Sequence, residues 1–413
     1  MLTSGQHRAK QQILQELRSS KGAILSSPAG YGKSYLLKNI IATTHYKKIL
    51  VLAETNQAVN LLRGTLGVAP GVDFKTVCGG LNYVLEPTIH GFKLIQKAAP
   101  DWREYDLVIL DECSQVGKDR FAELLNISRK IIISGDDKQA PPVGEVESPA
   151  FTTTNFKRIE LTVPMRNSTD IFGFLQELRA TIGTRKIFPK GFQVSAPLFE
   201  KLIKEEMDSF GKGDAVVLAL SEKGKVLKSV SDYNDKITKI LFGSSTFLHP
   251  GERIVFKKSY LAFNKSSGTA DGNRASEFPI FTNMRGAILT LGSEELKIGR
   301  FILSAFKVEV SLDDYPGRSF FCYTPMDIVA SEHVRVALFA RGDKKALKYF
   351  FSLWSSFQPA YATNVYVCQG LSIKKVFVDL KDIQACTKDS LLLRQKLFYV
   401  AASRAVEELY IKV

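Results

Sequence analysis

Cysteine is scarce in this 413-residue chain: Cys78, Cys113, Cys322, Cys368 and Cys386 are all it has. No two form a C-x-x-C pair and their number is odd. That excludes a disulfide framework or a structural zinc site as the organising device and points to a reducing compartment. Long apolar runs are missing as well. No stretch approaches the roughly 18 apolar residues of a membrane span, so no membrane partner is expected. The opening MLTSGQHRAK has no apolar h-region, so no signal peptide is expected and the expected localisation is cytoplasmic. The sequence shows no internal repeats and no low-complexity tails. Acidic residues are in deficit: 42 Asp and Glu against 56 Lys and Arg leave +14 at pH 7. Such a surplus suits a polyanionic partner such as nucleic acid, and equally suits a basic, well-solvated surface. Hydrophobic residues at 45% and charged residues at 24% are ordinary for a globular chain. The length allows about two or three domains with a core that requires no staples.

One glycine is also missing from a place where it would be noticed. Residues 27–34 read SPAGYGKS, the end of a phosphate-binding G-x-x-x-x-G-K-[ST] loop with Ser27 in place of the first glycine. Other Gly-Lys pairs, at 117–118, 211–212 and 224–225, lack the following Ser or Thr. Context separates this loop from them. Gly22-Ala23-Ile24-Leu25 suits a buried strand, and KSYLLKNIIA from Lys33 carries apolar residues at 36, 37, 40 and 41, which is helical spacing. A strand, a glycine-rich turn and a helix expose consecutive backbone N–H groups to phosphates and add the helix dipole. Lys33 would reach the β- and γ-phosphates and Ser34 would hold Mg²⁺. A glycine is needed at position 27 only if φ is positive or a Cβ would clash, so Ser27 predicts a negative φ with room for its side chain.

Two further apolar strands end in polar residues. Leu107-Val108-Ile109-Leu110 runs into Asp111 and Glu112, where ligands bind in open α/β sheets. Asp111 would hold Mg²⁺ through water, and Glu112 would orient or deprotonate the attacking water. Lys130-Ile131-Ile132-Ile133 runs into SGDDKQAPPV, which places Gln139 where it can touch a γ-phosphate. Taken alone, that last segment reads as a plain turn.

Together these segments resemble superfamily 1 helicases. SPAGYGKS is similar to motif I, DECS to motif II and GDDKQAPPV to motif III, and the remaining motifs follow in the family's order. LTSGQ at 2–6 resembles the Q motif, which implies that Gln6 reads adenine. The resemblance makes Pro28, Ala29, Gly30, Tyr31, Gly32, Lys33 and Ser34 the nucleotide-binding segment. LAETNQAVNLL resembles motif Ia with Thr55 on a nucleic-acid phosphate, and FKTVCGGL resembles motif Ib with Thr76 matching. IELTVPMRNS resembles motif IV, ATNVYVCQGLS motif V around Gln369 and Gly370, and LFYVAASRAVEELYI motif VI. Motifs IV and VI imply arginine fingers at Arg166 and Arg404, which would stabilise charge on the transferring phosphoryl oxygens. Motif III resembles the RecD/Pif/Dda-type branch, and the LTxGQ opening its Dda-type phage members, which implies 5′→3′ movement; TNQA and YVAASRA are also similar to the UvrD/Rep-type branch of opposite polarity. Motif V departs from the Dda-type pattern at Asn364, Tyr366 and Val367, and motif Ib has Cys78 where a His is frequent.

The expected fold is α/β: two RecA-like P-loop motor domains, with a β-hairpin insertion in the first and a small SH3-like β-barrel insertion in the second. The first motor would span 1–165, its hairpin lying at about 82–103. The second would span 166–240 and 346–413, and the β-rich insertion 241–345. The hairpin implies a strand-separating pin with His90 and Phe92 as candidate tip residues, or an aromatic packed into a local core. Trp354, Phe357 and Tyr361 could stack on bases or pack in the core. The implied activity is an ATP-dependent DNA helicase, a monomer using ATP and Mg²⁺ on single-stranded and fork DNA. A single-strand-binding protein or replisome component would be its protein partner, and replication, repair and recombination its settings. A nucleic-acid-binding protein with a switch-like ATP site, or an RNA helicase or translocase without strand separation, are the competing readings.

Overall fold

The structure is a computed structural model. It describes residues 2–28, 30–88, 91–142, 144–145, 147–152, 156–163, 170–185, 188–221, 229–244, 248–258, 260–264, 277–280 and 282–413. Among the described residues the fold rests on three sheets and one hairpin.

The N-terminal part supplies β1 (Gly22–Ser26), β2 (Ile49–Ala53), β3 (Val72–Thr76), the hairpin strands β4 (Tyr83–Thr88) and β5 (Gly91–Gln96), then β6 (Leu107–Leu110), β7 (Ile131–Gly135) and β8 (Lys157–Glu160). Six of these form a parallel sheet in the order β3-β2-β6-β7-β1-β8. The strands β1, β2, β6 and β7 are buried along their whole length. That is why they read as continuous Val, Ile and Leu runs rather than as alternating patterns. One face packs on the helices Ser4–Ser19, Lys33–Thr43 and Asn56–Leu66 through residues such as Ile13, Leu36 and Leu62. The other packs on the helix Lys118–Ile127 through Phe121 and Leu124. Strands β4 and β5 pair antiparallel from Tyr83↔Gln96 to Thr88↔Gly91.

A second parallel sheet has the order β18-β10-β19-β20-β9, built from β9 (Gln193–Val194), β10 (Ala215–Ala219), β18 (Ala362–Asn364), β19 (Ile373–Asp379) and β20 (Ala405–Lys412). The helices Asp170–Thr181 and Leu391–Ala402 pack on one face with Leu178, Val376 and Phe398, and the helix Ser229–Phe242 on the other with Ile237 and Phe377.

Between β10 and β18 lies a seven-stranded antiparallel sheet, ordered β13-β12-β16-β15-β14-β11-β17. Its strands are β11 (Arg253–Phe256), β12 (Tyr260–Asn264), β13 (Glu277–Ile280), β14 (Arg285–Ile298), β15 (Phe301–Leu312), β16 (Ser319–Pro325) and β17 (Phe357–Pro359). Two features differ from the reading of the sequence. The sheet continues past residue 345, because β17 pairs with β11 from Ile254↔Pro359 to Phe256↔Phe357. The helix Lys344–Leu353 belongs with it too, burying Leu347, Phe350 and Leu353 against Leu296 and Leu303 of the long β14–β15 hairpin. Among the described residues the pairings leave β13 and β17 as edges and do not close into a barrel.

Candidate active site

The nucleotide-type loop follows β1. Gly30 and Gly32 have φ of 85° and 76°, a region that side chains with a Cβ enter only at a cost. Gly32 is also the N-cap of the helix Lys33–Thr43, so the first free N–H groups of that helix point into the loop. Ser27 is not among the positive-φ residues; its N–H donates to Gly135 O at 2.9 Å and its hydroxyl to Pro28 O at 3.2 Å. It is a buried, accommodated substitution, as its predicted backbone required. Ala29 lies outside the described residues.

Lys33 reaches across from the helix to the end of β6. Its Nζ lies 2.9 Å from Asp111 Oδ1 and 3.1 Å from Glu112 Oε1. Burial opposes the lysine's charge, but the two carboxylates outweigh it and hold the ammonium above its usual range. Burial likewise opposes ionisation of Glu112, but Lys33 and then Arg404 outweigh it, so its carboxyl sits below the usual glutamate range. Glu112 adopts φ 50° and ψ 40°, left-handed backbone for a non-glycine residue. Strain of that kind persists where surrounding structure over-determines it. The turn aims the side chain back at Lys33 instead of along the strand.

Gln139 stands on the turn after β7 and is buried with Oε1 unpartnered; Glu112 Oε2 is also buried and unpartnered. From the second sheet comes Arg404, buried at the end of the helix Leu391–Ala402. Its Nη2 donates to Ser403 Oγ at 2.8 Å and its Nη1 to Leu371 O at 3.2 Å. A pocket of about 340 Å³ gathers these groups. Its walls include Lys33, Ser34, Glu112 and Gln139 from the first motor, and Gly370 and Arg404 from the second. Orphaned acceptors facing a glycine cradle beside a lysine fit a phosphate group with a bound cation, which would meet Glu112 and Gln139 in place of water.

Gln6 meets the loop from the side. Its Nε2 donates to Gly32 O at 3.2 Å while its Oε1 accepts from Thr3 N at 3.1 Å, closing a capping box on the first helix. Both ends of the amide are therefore engaged. Tyr31 is held by Gln176, whose Nε2 donates to the phenol at 2.7 Å.

The residues expected on the nucleic-acid side do not line this pocket, although Gly370, next to Gln369, does. Thr55 and Thr76 are the N-caps of the helices Asn56–Leu66 and Val77–Gly80, accepting from Ala58 N at 3.2 Å and Gly79 N at 2.9 Å. Gln369 follows β18 with a buried, unpartnered Nε2. The departure at Asn364 has a structural use: Oδ1 accepts from Tyr366 N at 2.9 Å and Nδ2 donates to Leu220 O at 2.7 Å, fixing the turn that follows. Tyr366 packs on the face of the second sheet that carries Leu178 and Phe398. His90 lies outside the described residues, and so does the side chain of Phe92, although its backbone pairs with Pro87. Arg166 also lies outside them. Trp354, Phe357 and Tyr361 all pack: Trp354 on Phe350 at 5.9 Å, Phe357 on Phe256 at 5.5 Å, and Tyr361 with Ile237 and Phe377 on the face of the second sheet opposite Phe398, accepting from Arg253 N.

Sequence reasoning missed Asp136, Asp137, Arg179 and Tyr399, which join the two motors beside the pocket. Arg179 lies outside all of the motifs, and Tyr399, although within the motif VI stretch, carries no signal in its spacing that it would meet Asp136. Ser403, which orients Arg404, was legible as the Ser of the Ser-Arg pair in motif VI.

Comparison with known proteins adds the following. The AAA domain family model matches residues 1–179, and that of the UvrD-like helicase C-terminal domain matches residues 359–411. An uncharacterized protein of Acanthamoeba polyphaga mimivirus is 24% identical over 476 residues, spanning 92% of this chain and 93% of that one. The Pif1 helicase from Candida albicans superposes with a TM-score of 0.52 at 17% identity, over 100% of this chain and 94% of that one. The Pif1 helicase from Bacteroides in complex with ADP-AlF3 and ssDNA gives 0.54 at 14% identity, over 100% and 92%. At these identities the structural likeness is one of fold, and it extends over both motors and the sheet between them.

Proposed function

We propose that this chain is a superfamily 1, Pif1-like helicase that hydrolyses ATP to move 5′→3′ along single-stranded DNA and to separate duplex ahead of it, a reading supported by its two matched domains and its fold. The observation that carries this is the convergence of Lys33, Glu112 and Gln139 from one motor with Arg404 from the other on a single pocket, with Asp111 paired to Lys33 at the end of β6.

In this reading the loop from Pro28 to Gly32 cradles the phosphates, and Lys33 leaves the carboxylates for the β- and γ-phosphates. Ser34 and Asp111 would hold Mg²⁺, which when bound neutralises charge that builds on the phosphoryl oxygens. Glu112, kept ionised by Lys33 and Arg404, orients the attacking water and accepts its proton through the free Oε2. Gln139 senses the γ-phosphate, and Arg404, joined by Arg166, stabilises the charge that develops on transfer. Gln6 contributes by holding Gly32 and the loop; to read adenine directly its amide would exchange one of its present partners.

On the DNA side, Thr55 and Thr76 present helix N-termini to phosphates and Gln369 offers its free amide. The β4–β5 hairpin acts as the pin, with His90 and Phe92 as the candidate tip residues. The division of labour follows residues 1–165 for the first motor, 166–240 with 362–413 for the second, and the antiparallel sheet between them as the strand clamp. Single-stranded and forked DNA are the partners. The same two classes are named for the similar Pif1 structures, one bound to ssDNA and one described as unwinding forked dsDNA. Among the described residues no helix is long and apolar enough to cross a membrane, and a reducing cytoplasm suits the five free cysteines. ATP hydrolysis by the full chain, measured with and without single-stranded DNA, tests the proposal; a rate that DNA does not raise would count against it.

A further inference from the structure

Asp136 opens the turn that carries Gln139 into the pocket. Its carbonyl accepts from Gln139 N at 3.2 Å and its Oδ1 from Lys138 N at 3.0 Å, so one residue shapes the whole turn. The carboxylate is buried, with a side-chain exposure of 1%. Its other partners come from the opposite motor. Arg179 Nη2 donates to Oδ1 at 3.0 Å, and the Tyr399 hydroxyl to Oδ2 at 2.9 Å. Arg179 also reaches Asp137 Oδ1 at 2.9 Å, while Arg158 of the first motor holds Asp137 Oδ2 at 2.7 Å.

The helix that supplies Arg179 touches the phosphate loop as well. Gln176 donates to the Tyr31 hydroxyl, and the Phe172 ring lies 6.0 Å from that of Tyr31. Residues 172, 176 and 179 are four and three apart, so one helix face grips both the loop and the turn. Arg179, Gln176, Phe172, Tyr31 and Tyr399 together line a cavity of about 160 Å³. Arg179 Nε is buried without a partner, so Asp136 and Asp137 are what balance this guanidinium.

A buried carboxylate is tolerated only while its counter-charge is in place. We propose that Arg179 and Tyr399 are positioning residues for hydrolysis: by holding Asp136 they align Gln139 only when the two motors are docked. Separation of the motors strips Asp136 of both partners. The carboxylate then rehydrates, and the turn that presents Gln139 relaxes with it. Turnover is thereby tied to closure without Arg179 touching the nucleotide. The inference rests on the ATP-hydrolysing reading proposed above.

The test is epistasis. DNA-stimulated ATPase is measured for the full-length wild type and for Arg179→Ala, Gln139→Ala and the double variant, with nucleotide affinity followed by equilibrium binding. Wild type without activity would defeat the ATPase reading itself; with wild type active, only the inference is at stake. Arg179→Ala is expected to lower kcat about 10- to 100-fold, the scale of a misplaced catalytic group, with affinity for ATP within about threefold. The double variant should lose no more than Gln139→Ala alone. Multiplied losses, or an Arg179→Ala rate equal to wild type, overturn the proposal. Tyr399→Phe removes a single hydroxyl and carries the same two outcomes if Arg179→Ala does not fold.

Discussion

Lys33 Nζ stands 2.9 Å from Asp111 Oδ1, so the lysine that would grip a phosphate is held by a carboxylate at the end of β6, two strands across the sheet from β1. Glu112 completes the triad at 3.1 Å. Charge in this pocket is therefore balanced before any nucleotide arrives, and phosphate binding exchanges one anionic partner of the lysine for another.

Removing the lysine leaves two buried carboxylates facing the loop without their cation. Lys33→Ala is expected to reduce DNA-stimulated ATP hydrolysis by at least about 10²-fold, the scale of losing one preorganised charge contact. Glu112→Gln keeps the shape of the pocket and removes its base. It should still bind ATP while turnover falls about 10²- to 10⁴-fold. A Lys33→Ala rate equal to wild type, measured by phosphate release, would dismiss the motor reading.

The same triad sets a pH dependence. Burial would raise the carboxyl of Glu112, but Lys33 and Arg404 win and depress it. A depressed carboxylate contributes stability that is complete above the usual glutamate value of about 4.3 and is lost as pH falls through the lower folded value. Lys33 is shifted the other way, so its contribution holds throughout neutral pH and is lost only on the far alkaline side. Melting temperatures of wild type and Glu112→Gln, compared from about pH 7 down to about pH 3, should therefore converge on acidification. A constant difference would contradict the ion-pair account.

Ser27 and Gly32 make opposite predictions within one loop. Ser27 sits on ordinary backbone, so Ser27→Gly should leave ATPase activity within about twofold of wild type. Gly32 needs φ 76°. Gly32→Ala carries a left-handed penalty of about 1–2 kcal/mol and places a methyl group where phosphates must approach. It is expected to weaken nucleotide affinity at least about tenfold, as measured by equilibrium binding. Equal affinities for the two variants would show that the loop is not shaped by that glycine.

Direction of travel is read from forks. DNA forks with a single 5′ tail should be unwound, and forks with a single 3′ tail should not. Parallel substrates with RNA tails separate a DNA helicase from an RNA helicase. Unwinding confined to 3′ tails would reassign the chain to the opposite polarity.

Much of the site was legible because its chemistry is local. A glycine-rich turn between a strand and a helix, or two acids at the end of an apolar strand, sits within a dozen residues and carries its own geometry. The fate of the aromatics was not legible. Trp354, Phe357 and Tyr361 lie together before motif V, yet they pack in different clusters: Trp354 on Phe350 of the adjacent helix beside Leu296 and Leu303, Phe357 on Phe256 of β11, and Tyr361 with Ile237 and Phe377. The extent of the antiparallel sheet was hidden for a related reason: β17 is three residues long and is a strand only because β11, a hundred residues earlier, pairs with it.

The sequence by itself determined the phosphate loop and the apolar strands that end in Asp111 and Glu112, while the second motor and Arg404 followed from the resemblance to the family's motifs. Periodicity, turn residues and short-range spacing are properties of contiguous chain. Only the tertiary structure decided that Arg179 and Tyr399 hold Asp136 across the motor interface, that Gln6 uses both ends of its amide, and that Glu112 turns back toward Lys33. Those relationships depend on which surfaces are brought together and which charges lose their water. Burial and counter-charge are set by the whole fold, not by neighbours along the chain.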